Sequence, residues 1–222
     1  MECMKGVPTL TGSELFSALD EEALARVAIR ASTVQLDRND TLFNEGDEAD
    51  DLYVVLTGRI AIAKRSPDGR ESLVALMGPG DLFGEMPLFD DERRSASVRA
   101  LERSEVVRVP FDAVRAELEA RPGLLWDVVA MYAARLRAAG DALADAMLLD
   151  VVGRTAKRLL ELSGDADEFV LPLTQEELAG LVGASRERVN KSISAFIRLG
   201  WIDQVDRHYR ILMRDRLAQR AS

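Results

Sequence analysis

The sequence predicts an α+β chain in which an N-terminal antiparallel β-roll, a long helix and a C-terminal winged helix-turn-helix follow one another. Three patterns predict this order: short apolar runs broken by turns over residues 34–110, apolar heptads over 124–149, and two capped amphipathic segments around a glycine over 173–201. A chain of 222 residues can hold two ordinary domains. We expect domain boundaries at residues 1–121, 122–149 and 150–222.

The β-roll is predicted from runs of Val, Ile, Leu and Phe that are separated by turn sequences. Glycines stand in these turns, where positive φ is common: Gly46, Gly58, Gly69 and Gly80. Short helices are expected to begin at Ser13 or Asp20, and another to cover residues 111–120. A cupin-type metalloenzyme would need several histidines inside the roll. Since the single histidine is His208, far outside it, we expect no metal site of this kind.

The long helix carries an apolar seam at alternating spacings of four and three. Its residues are Leu125, Val129, Tyr132, Leu136, Ala139, Leu143 and Ala146. About three heptads predict a parallel coiled-coil homodimer along a helix of ~39 Å. The alternative is a helix that packs on its own roll, and a surface of this length could do both. The hinge to the next domain is predicted at residues 148–153, with a further helix at 154–162.

The third pattern predicts a helix-turn-helix. Thr174 and Glu177 form a capping box, Gly183 makes the turn, and Ser185 caps the second helix. The inward residues of that helix are Val189, Ile193, Phe196 and Ile197, and its outward residues include Arg186, Glu187, Asn190 and Lys191. Such a helix suits the major groove of DNA, where its leading residues meet base edges. The alternative is an ordinary helical hairpin with a solvated charged face.

A wing is predicted after the two helices. Residues 169–173 read as a strand that precedes the helix pair, and residues 201–212 as a hairpin that follows it. The turn at residues 206–208 places Arg207 near the tip, where it can meet a DNA phosphate. His208 is expected to be a surface residue of the wing.

The net charge of −9 is unevenly divided. Residues 151–222 hold 12 basic and 10 acidic residues, whereas residues 1–150 hold 17 basic and 28 acidic. Within 185–200, four basic residues stand against one acidic residue, Glu187. Because attraction to phosphate acts within a Debye length of ~8–10 Å, this local surplus is compatible with DNA binding.

Several classes of protein are disfavoured by composition. No apolar run approaches the ~20 residues that span a bilayer, and the N-terminus does not resemble a secretion signal. Cys3 is the single cysteine and cannot form an internal disulfide. A cytoplasmic location is therefore expected. No nucleophile–base pair stands out, so we expect no enzymatic activity.

The stretch GDLFGEMPLFDDERRSASVRA, residues 80–100, predicts an anion site. Gly84 allows backbone amides to approach a phosphate, Ser95 can donate its hydroxyl, and Arg94 offers a planar cationic fork. Glu85 can orient that arginine and accept from a sugar hydroxyl. Taken alone, such an Arg–Glu pair on a barrel is more often a structural salt bridge.

From about residue 15 to 217 the chain resembles the cyclic AMP receptor protein branch of the bacterial family that also contains the fumarate–nitrate regulators. The motifs are FGE followed by RSA in the roll, LLDVVGRTAKRLL across the hinge, and LTQEELAGLVGASRERVN in the helix-turn-helix. The resemblance implies a cyclic-nucleotide-binding β-roll, a dimerising helix and a DNA-binding winged helix. The implied effector is cyclic AMP, and the implied partner is double-stranded DNA with a palindromic operator.

The resemblance also assigns roles to residues. Gly84 and Glu85 match positions on the ribose and phosphate side of the nucleotide, and Arg94 and Ser95 match its phosphate binders. Ala139 and Gly140 stand where relatives present a hydroxyl or amide to adenine, which predicts modest base discrimination. The positions that match base contacts in relatives are Arg186, Glu187 and Lys191. Those that match phosphate contacts are Thr174 and Ser185. Further candidates for contact with DNA are Gln175, Asn190 and Arg207.

Composition disfavours two other branches of this family. One cysteine cannot hold an iron–sulfur cluster, and no histidine in the roll or long helix can bind haem. The loop at residues 163–168 is short and acidic, so the RNA polymerase contact that relatives make there is in doubt. Open alternatives are a regulator that is ligand-independent or answers to cyclic GMP or cyclic di-GMP, and a nucleotide-binding signalling subunit that acts on a protein partner.

Overall fold

The computed structural model describes residues 10, 12, 13, 15–66 and 71–222. Cys3 and the predicted turn at Gly69 lie outside these residues. The helices are α1 Glu21–Arg30, α2 Pro87–Asp90, α3 Phe111–Ala120, α4 Leu125–Leu148, α5 Val151–Ser163, α6 Gln175–Val182, α7 Arg186–Arg198 and α8 Arg214–Arg220. The strands are β1 Ser32–Leu36, β2 Thr41–Phe43, β3 Asp51–Thr57, β4 Ile60–Arg65, β5 Glu71–Met77, β6 Leu82–Phe83, β7 Ser97–Ala100, β8 Ser104–Pro110, β9 Glu168–Val170, β10 Ile202–Val205 and β11 His208–Ile211.

The predicted β-roll is confirmed as two four-stranded sheets, in the orders β1-β8-β3-β6 and β2-β7-β4-β5. Strand β3 is buried on both faces because alternate side chains enter different clusters. Leu52 and Val54 join the cluster that includes the helices, whereas Tyr53 and Val55 join the cluster between the sheets. Gly58 has φ +82°, and an added Cβ would lie 2.3 Å from the Ser104 Oγ. The turn therefore requires glycine for both conformation and space.

Helices α1 and α3 flank the roll, where the sequence predicts helices. Asp20 caps α1 by accepting a hydrogen bond from the Ala23 N–H, and α3 covers residues 111–120. Arg26 joins the two helices through two hydrogen bonds to the Glu117 carboxylate, at 2.7 and 2.9 Å. This fork holds the pKa of Glu117 below its usual value, chiefly by hydrogen bonding to the charged form.

Helix α4 has 24 residues, or ~36 Å. Val128 and Met131 are buried in the cluster that contains the roll's helices. A second face is apolar and exposed, with 75% exposure at Leu136 and 59% at Leu143. Tyr132 departs from the seam prediction. Its ring packs edge-on against Phe89, 5.8 Å between centroids, which turns it towards its own unit.

The C-terminal part is a winged helix-turn-helix. Thr174 and Glu177 form the predicted capping box, Gly183 turns the chain with φ +68°, and Ser185 caps α7. The small sheet has the order β10-β11-β9. Arg154 supports the turn by donating to the carbonyl oxygens of Leu149, Val182 and Gly183, at 3.0 Å for Val182 and 2.7 Å for Leu149.

Three predicted boundaries in this part are wrong. Helix α5 begins at Val151 rather than residue 154, because Asp150 caps it by accepting from the Gly153 N–H at 2.8 Å. Strand β9 ends at Val170, and Leu171 and Leu173, which follow it, are buried in the core. The wing turn contains two residues rather than three, since His208 lies in β11 opposite Val205.

The chain consists of two compact units. One consists of residues up to Arg65 with Val74–Leu136, and the other of Ser66–Leu73 with Arg137–Ser222. The first contains nearly all of the roll, and the second contains the winged helix-turn-helix. The division falls inside α4, between Leu136 and Arg137. Of the helices in the described part of the chain, none is both long and apolar enough to cross a bilayer.

Candidate functional site

A cavity of about 110 Å³ lies in the first unit between the sheets, the turn after β6 and α4. Gly84, Glu85, Arg94 and Ser95 all line it, so the structure brings together the four residues that the motif predicts. The other lining residues are Phe43, Ile62, Met77, Phe83, Met86, Pro87, Ala96, Val98 and Arg135. The lining therefore combines apolar side chains with two arginines and a carboxylate.

Arg94 is a buried cation, 5% exposed. Its Nη1 donates to the Gly84 carbonyl at 2.7 Å, and its Nη2 donates to the Asp51 carbonyl at 2.8 Å. Among the residues that the structure describes, its Nε–H has no acceptor. Burial lowers the pKa of Arg94 because the charged form loses hydration, and nearby acidic groups oppose this shift. The arrangement leaves positive charge and a free donor beside the cavity.

Gly84 lets the chain pass close to that cation. Its φ is +76°, and an added Cβ would lie 2.9 Å from the Arg94 Nη1 and 3.3 Å from the Tyr53 ring. A side chain at this position would be strained and would displace the guanidinium. Glycine is therefore needed for the arginine to reach its backbone acceptor.

Glu85 is 2% exposed and is held by the long helix. Arg135 donates its Nη1 to the Glu85 Oε1 at 2.6 Å and its Nη2 to the Leu82 carbonyl at 2.7 Å. Burial raises the pKa of Glu85, and the Arg135 charge acts in the opposite direction. The Tyr132 hydroxyl is a further hydrogen-bond partner of Glu85, and burial raises the pKa of that phenol.

Arg135 is a site residue that sequence reasoning missed. It lies 50 positions from Glu85, so no local motif joins the two. One signal in the sequence could have identified it. Arg135 is next to the seam residue Leu136 and follows Tyr132 by three residues, so Arg135 and Tyr132 lie on the same face of the helix. A buried carboxylate in the motif also calls for a positive partner.

The other effector candidates are placed differently. The Ser95 side chain is exposed, and its Oγ lies 3.5 Å from the Met86 Sδ, a weak contact that leaves the hydroxyl able to serve a ligand. Ala139 and Gly140 are exposed on α4. The structure therefore brings together the four residues predicted to meet the phosphate and the sugar.

Helix α7 presents the predicted DNA-reading face. Arg186, Glu187 and Lys191 are exposed at its start, and Asn190 is half-buried. Val189, Ile193 and Phe196 are buried on the opposite face. Ser185 accepts from the Arg188 N–H at 3.4 Å, and the exposed Thr174 caps α6. These helix starts leave backbone N–H groups that can meet phosphate.

Two DNA candidates are anchored to their own domain. Gln175 donates from its Nε2 to the Tyr209 hydroxyl at 3.0 Å and is half-buried. Arg207 is exposed next to the wing turn, but its Nε donates to the Leu171 carbonyl at 3.0 Å. These bonds orient both side chains, and each side chain has further N–H groups that could contact DNA.

The acidic loop over residues 163–168 is held by Arg214. This arginine donates to the carbonyl oxygens of Gly164 and Ala166, at 2.8 and 2.7 Å, and pairs with Asp167 at 3.3 Å. The loop is therefore tied to the start of the C-terminal helix.

Within the described residues, no group of three or more His, Cys, Asp or Glu side chains could hold a metal ion.

Two family models match the chain. Residues 33–121 match the cyclic nucleotide-binding domain, and residues 153–220 match the Crp-like helix-turn-helix domain. The first match contains the predicted phosphate motif and the second contains α6, α7 and the wing.

Relatives match along most of the chain. A CRP-like cAMP-activated global transcriptional regulator of Mycobacterium tuberculosis is 38% identical over 219 residues, covering 96% of this chain and 98% of the relative. The cAMP-activated global transcriptional regulator CRP of Escherichia coli is 32% identical over 158 residues, covering 68% and 75%. The c-di-GMP-responsive regulator CLP of Xanthomonas campestris shares the fold, with a TM-score of 0.74 at 22% identity over 86% of this chain and 99% of that one.

Proposed function

Because the chain belongs to the CRP/FNR family of transcription regulators, we propose that it is a homodimer whose binding to a palindromic operator is gated by cyclic AMP. The proposal combines three parts: an anion-binding cavity in the roll, an exposed apolar face on α4 and an exposed polar face on α7. None of these parts requires catalysis, and we propose that the protein is not an enzyme.

The main support for this function is that Arg94 is a buried cation beside the cavity. A buried cation whose direct partners are backbone carbonyls and aromatic rings is costly, because the acidic groups near it offset only part of its lost hydration. An anionic ligand in the adjoining cavity would remove this penalty and gain charge-assisted hydrogen bonds. Ser95 can add a hydroxyl donor. A cyclic phosphodiester satisfies both groups with one negative charge.

Glu85 connects the proposed ligand to α4, the proposed dimerisation helix. Its carboxylate would accept from the ribose hydroxyl while Arg135 of α4 holds it from the other side. A ligand that fixes Glu85 therefore stabilises the position of α4.

Small-ligand pockets usually measure about 300–1,000 Å³. Since the cavity here is about 110 Å³, we propose that its mouth opens when the nucleotide enters.

Another cyclic nucleotide is the second candidate effector, and one observation favours keeping it. Ala139 offers a methyl group and Gly140 no side chain, so neither can hydrogen-bond the adenine amino group. A hydrogen bond contributes roughly 0.5–1.5 kcal/mol, or ~2–12-fold in affinity. Preference for cyclic AMP over cyclic GMP would be correspondingly modest.

Titration calorimetry on the full chain tests the effector. We expect saturable binding of cyclic AMP, weaker binding of cyclic GMP, and no binding of the non-cyclic 5′-monophosphate at the same concentration. Failure of cyclic AMP, cyclic GMP and cyclic di-GMP alike would favour a regulator that acts without such a ligand.

Arg186→Ala tests the reading helix. Because Arg186 is exposed at the first position of α7, it can form a bidentate contact with a guanine. We expect the variant to lose roughly 1–3 kcal/mol of operator binding and to tolerate any base at one position of each half-site. Selection from random DNA with the variant and the parent protein measures both effects. An unchanged sequence preference would assign base reading to other residues.

A further inference from the structure

Phe43 forms an aromatic platform beneath the buried cation. The Arg94 Cζ lies 4.1 Å from the centroid of the Phe43 ring, closer than to the rings of Tyr53 and Phe111 at 5.6 and 5.9 Å. The Phe43 ring is itself fixed by aromatic neighbours, with centroids 5.7 Å from Tyr53 and 6.4 Å from Phe83. The guanidinium therefore rests on a ring that has little freedom to move.

This contact matters because the charge on Arg94 has few other partners. Its two terminal nitrogens are oriented by backbone carbonyls, and its Nε–H has no acceptor among the described residues. The negative face of an aromatic ring attracts a cation, and the attraction increases where water is excluded. With Arg94 only 5% exposed, the Phe43 face adds to the attraction of the two carbonyls and of the nearby acidic groups.

We propose that Phe43 is a positioning residue for the phosphate-binding arginine. Its ring holds the guanidinium plane in one orientation beside the cavity, so that less order has to be created when the anion binds. The inference rests on the proposed function, since it assigns to Arg94 the contact with a cyclic phosphodiester. It predicts that the shape and electronic character of residue 43 set affinity for the phosphate through Arg94.

Two substitutions separate the ring from its volume. Phe43→Leu keeps an apolar side chain but removes the aromatic face, whereas Phe43→Tyr keeps the face. Calorimetry of the full chain with cyclic AMP should show roughly 2- to 30-fold weaker binding for Phe43→Leu, the range expected for a cation–π contact. Phe43→Tyr should stay near the parent affinity. Thermal unfolding without ligand verifies that both variants are folded.

Phe43 also lines the cavity, so a direct contact with the ligand must be distinguished from an effect through Arg94. Arg94→Lys keeps the charge but loses the planar group that stacks on the ring. If Phe43 acts through Arg94, Phe43→Leu should cost little in the Arg94→Lys background. An equal loss in both backgrounds, or no loss in the parent background, would overturn the proposal.

A second measurement decides the matter if Arg94→Lys binds too weakly to titrate. The Arg94 Nε–H signal can be assigned by its absence in Arg94→Lys, and its hydrogen exchange can be followed without ligand. Exchange should be faster in Phe43→Leu than in the parent or Phe43→Tyr, and unchanged exchange would contradict the proposal. If the parent protein bound no cyclic nucleotide, the proposed function would fail, whereas parental affinity in Phe43→Leu would leave that function intact and refute this inference.

Discussion

Arg94→Ala is expected to abolish measurable binding of cyclic AMP. Removing one partner of a buried, hydrogen-bonded charge pair costs roughly 2–5 kcal/mol, or ~30- to 5,000-fold in affinity. Arg94 supplies such a charge beside the cavity, where solvent screens it little. Calorimetry measures the loss directly. In thermal unfolding, cyclic AMP should raise the melting temperature of the parent and leave that of the variant unchanged, because a ligand stabilises only the state that binds it.

Arg93→Ala is the matched control for Arg94→Ala. Arg93 is the neighbouring arginine, but it is exposed and pairs with Glu48 at 3.3 Å. Surface pairs of this kind contribute little, so this variant should bind cyclic AMP like the parent. Equal losses in the two variants would mean that overall charge, rather than the buried guanidinium, controls binding.

Leu136→Glu is expected to shift the protein from dimer to monomer. Leu136 is 75% exposed on the apolar face of α4, and a symmetric seam would place two of the new carboxylates together. Burying an unpaired ion costs several kcal/mol. The dimer dissociation constant should therefore rise at least ~100-fold, since each 1.4 kcal/mol is a factor of ten. Size-exclusion chromatography with light scattering over a range of concentrations provides the measurement.

Ala134→Glu provides the comparison for the seam. Ala134 is exposed on the same helix, but two residues along an α-helix point in nearly opposite directions. This variant should remain dimeric and should bind operator DNA normally, whereas Leu136→Glu should bind it weakly. A dimer that survives Leu136→Glu would place the subunit interface on another surface.

The fold class was readable from the sequence because each part has a distinct period and distinct terminators. Short runs of Val, Ile and Leu between glycine turns gave the roll, and the Thr174–Glu177 capping box marked the start of α6. The missed start of α5 has a local cause, since Asp150 caps the helix by accepting from the Gly153 N–H. Gly153 reads as a helix breaker, but a Cβ there would approach the Arg220 carbonyl to 3.0 Å, so the packing of α8 favours glycine within the helix.

The candidate site was predictable only where its residues share one motif. Gly84, Glu85, Arg94 and Ser95 lie within twelve positions, and the structure gathers them at one cavity. Phe43 and Arg135 reach the same cavity from β2 and α4, about 50 positions away from Arg94 and Glu85, the groups they contact. Their contacts depend on how the sheets and helix pack, and no spacing rule in the chain specifies that. The roles of all these residues in binding remain predictions.

The central claim is that a cyclic nucleotide in the roll controls DNA binding by the winged helix-turn-helix. Its most direct test is fluorescence anisotropy of the full-length protein on a DNA site selected from random sequence, with and without saturating cyclic AMP. The account predicts an inverted repeat with half-sites ~34–36 Å apart, bound at least about tenfold more tightly with cyclic AMP. The same enhancement should be absent in Arg94→Ala. Equal affinity with and without cyclic AMP in the parent protein would contradict the account.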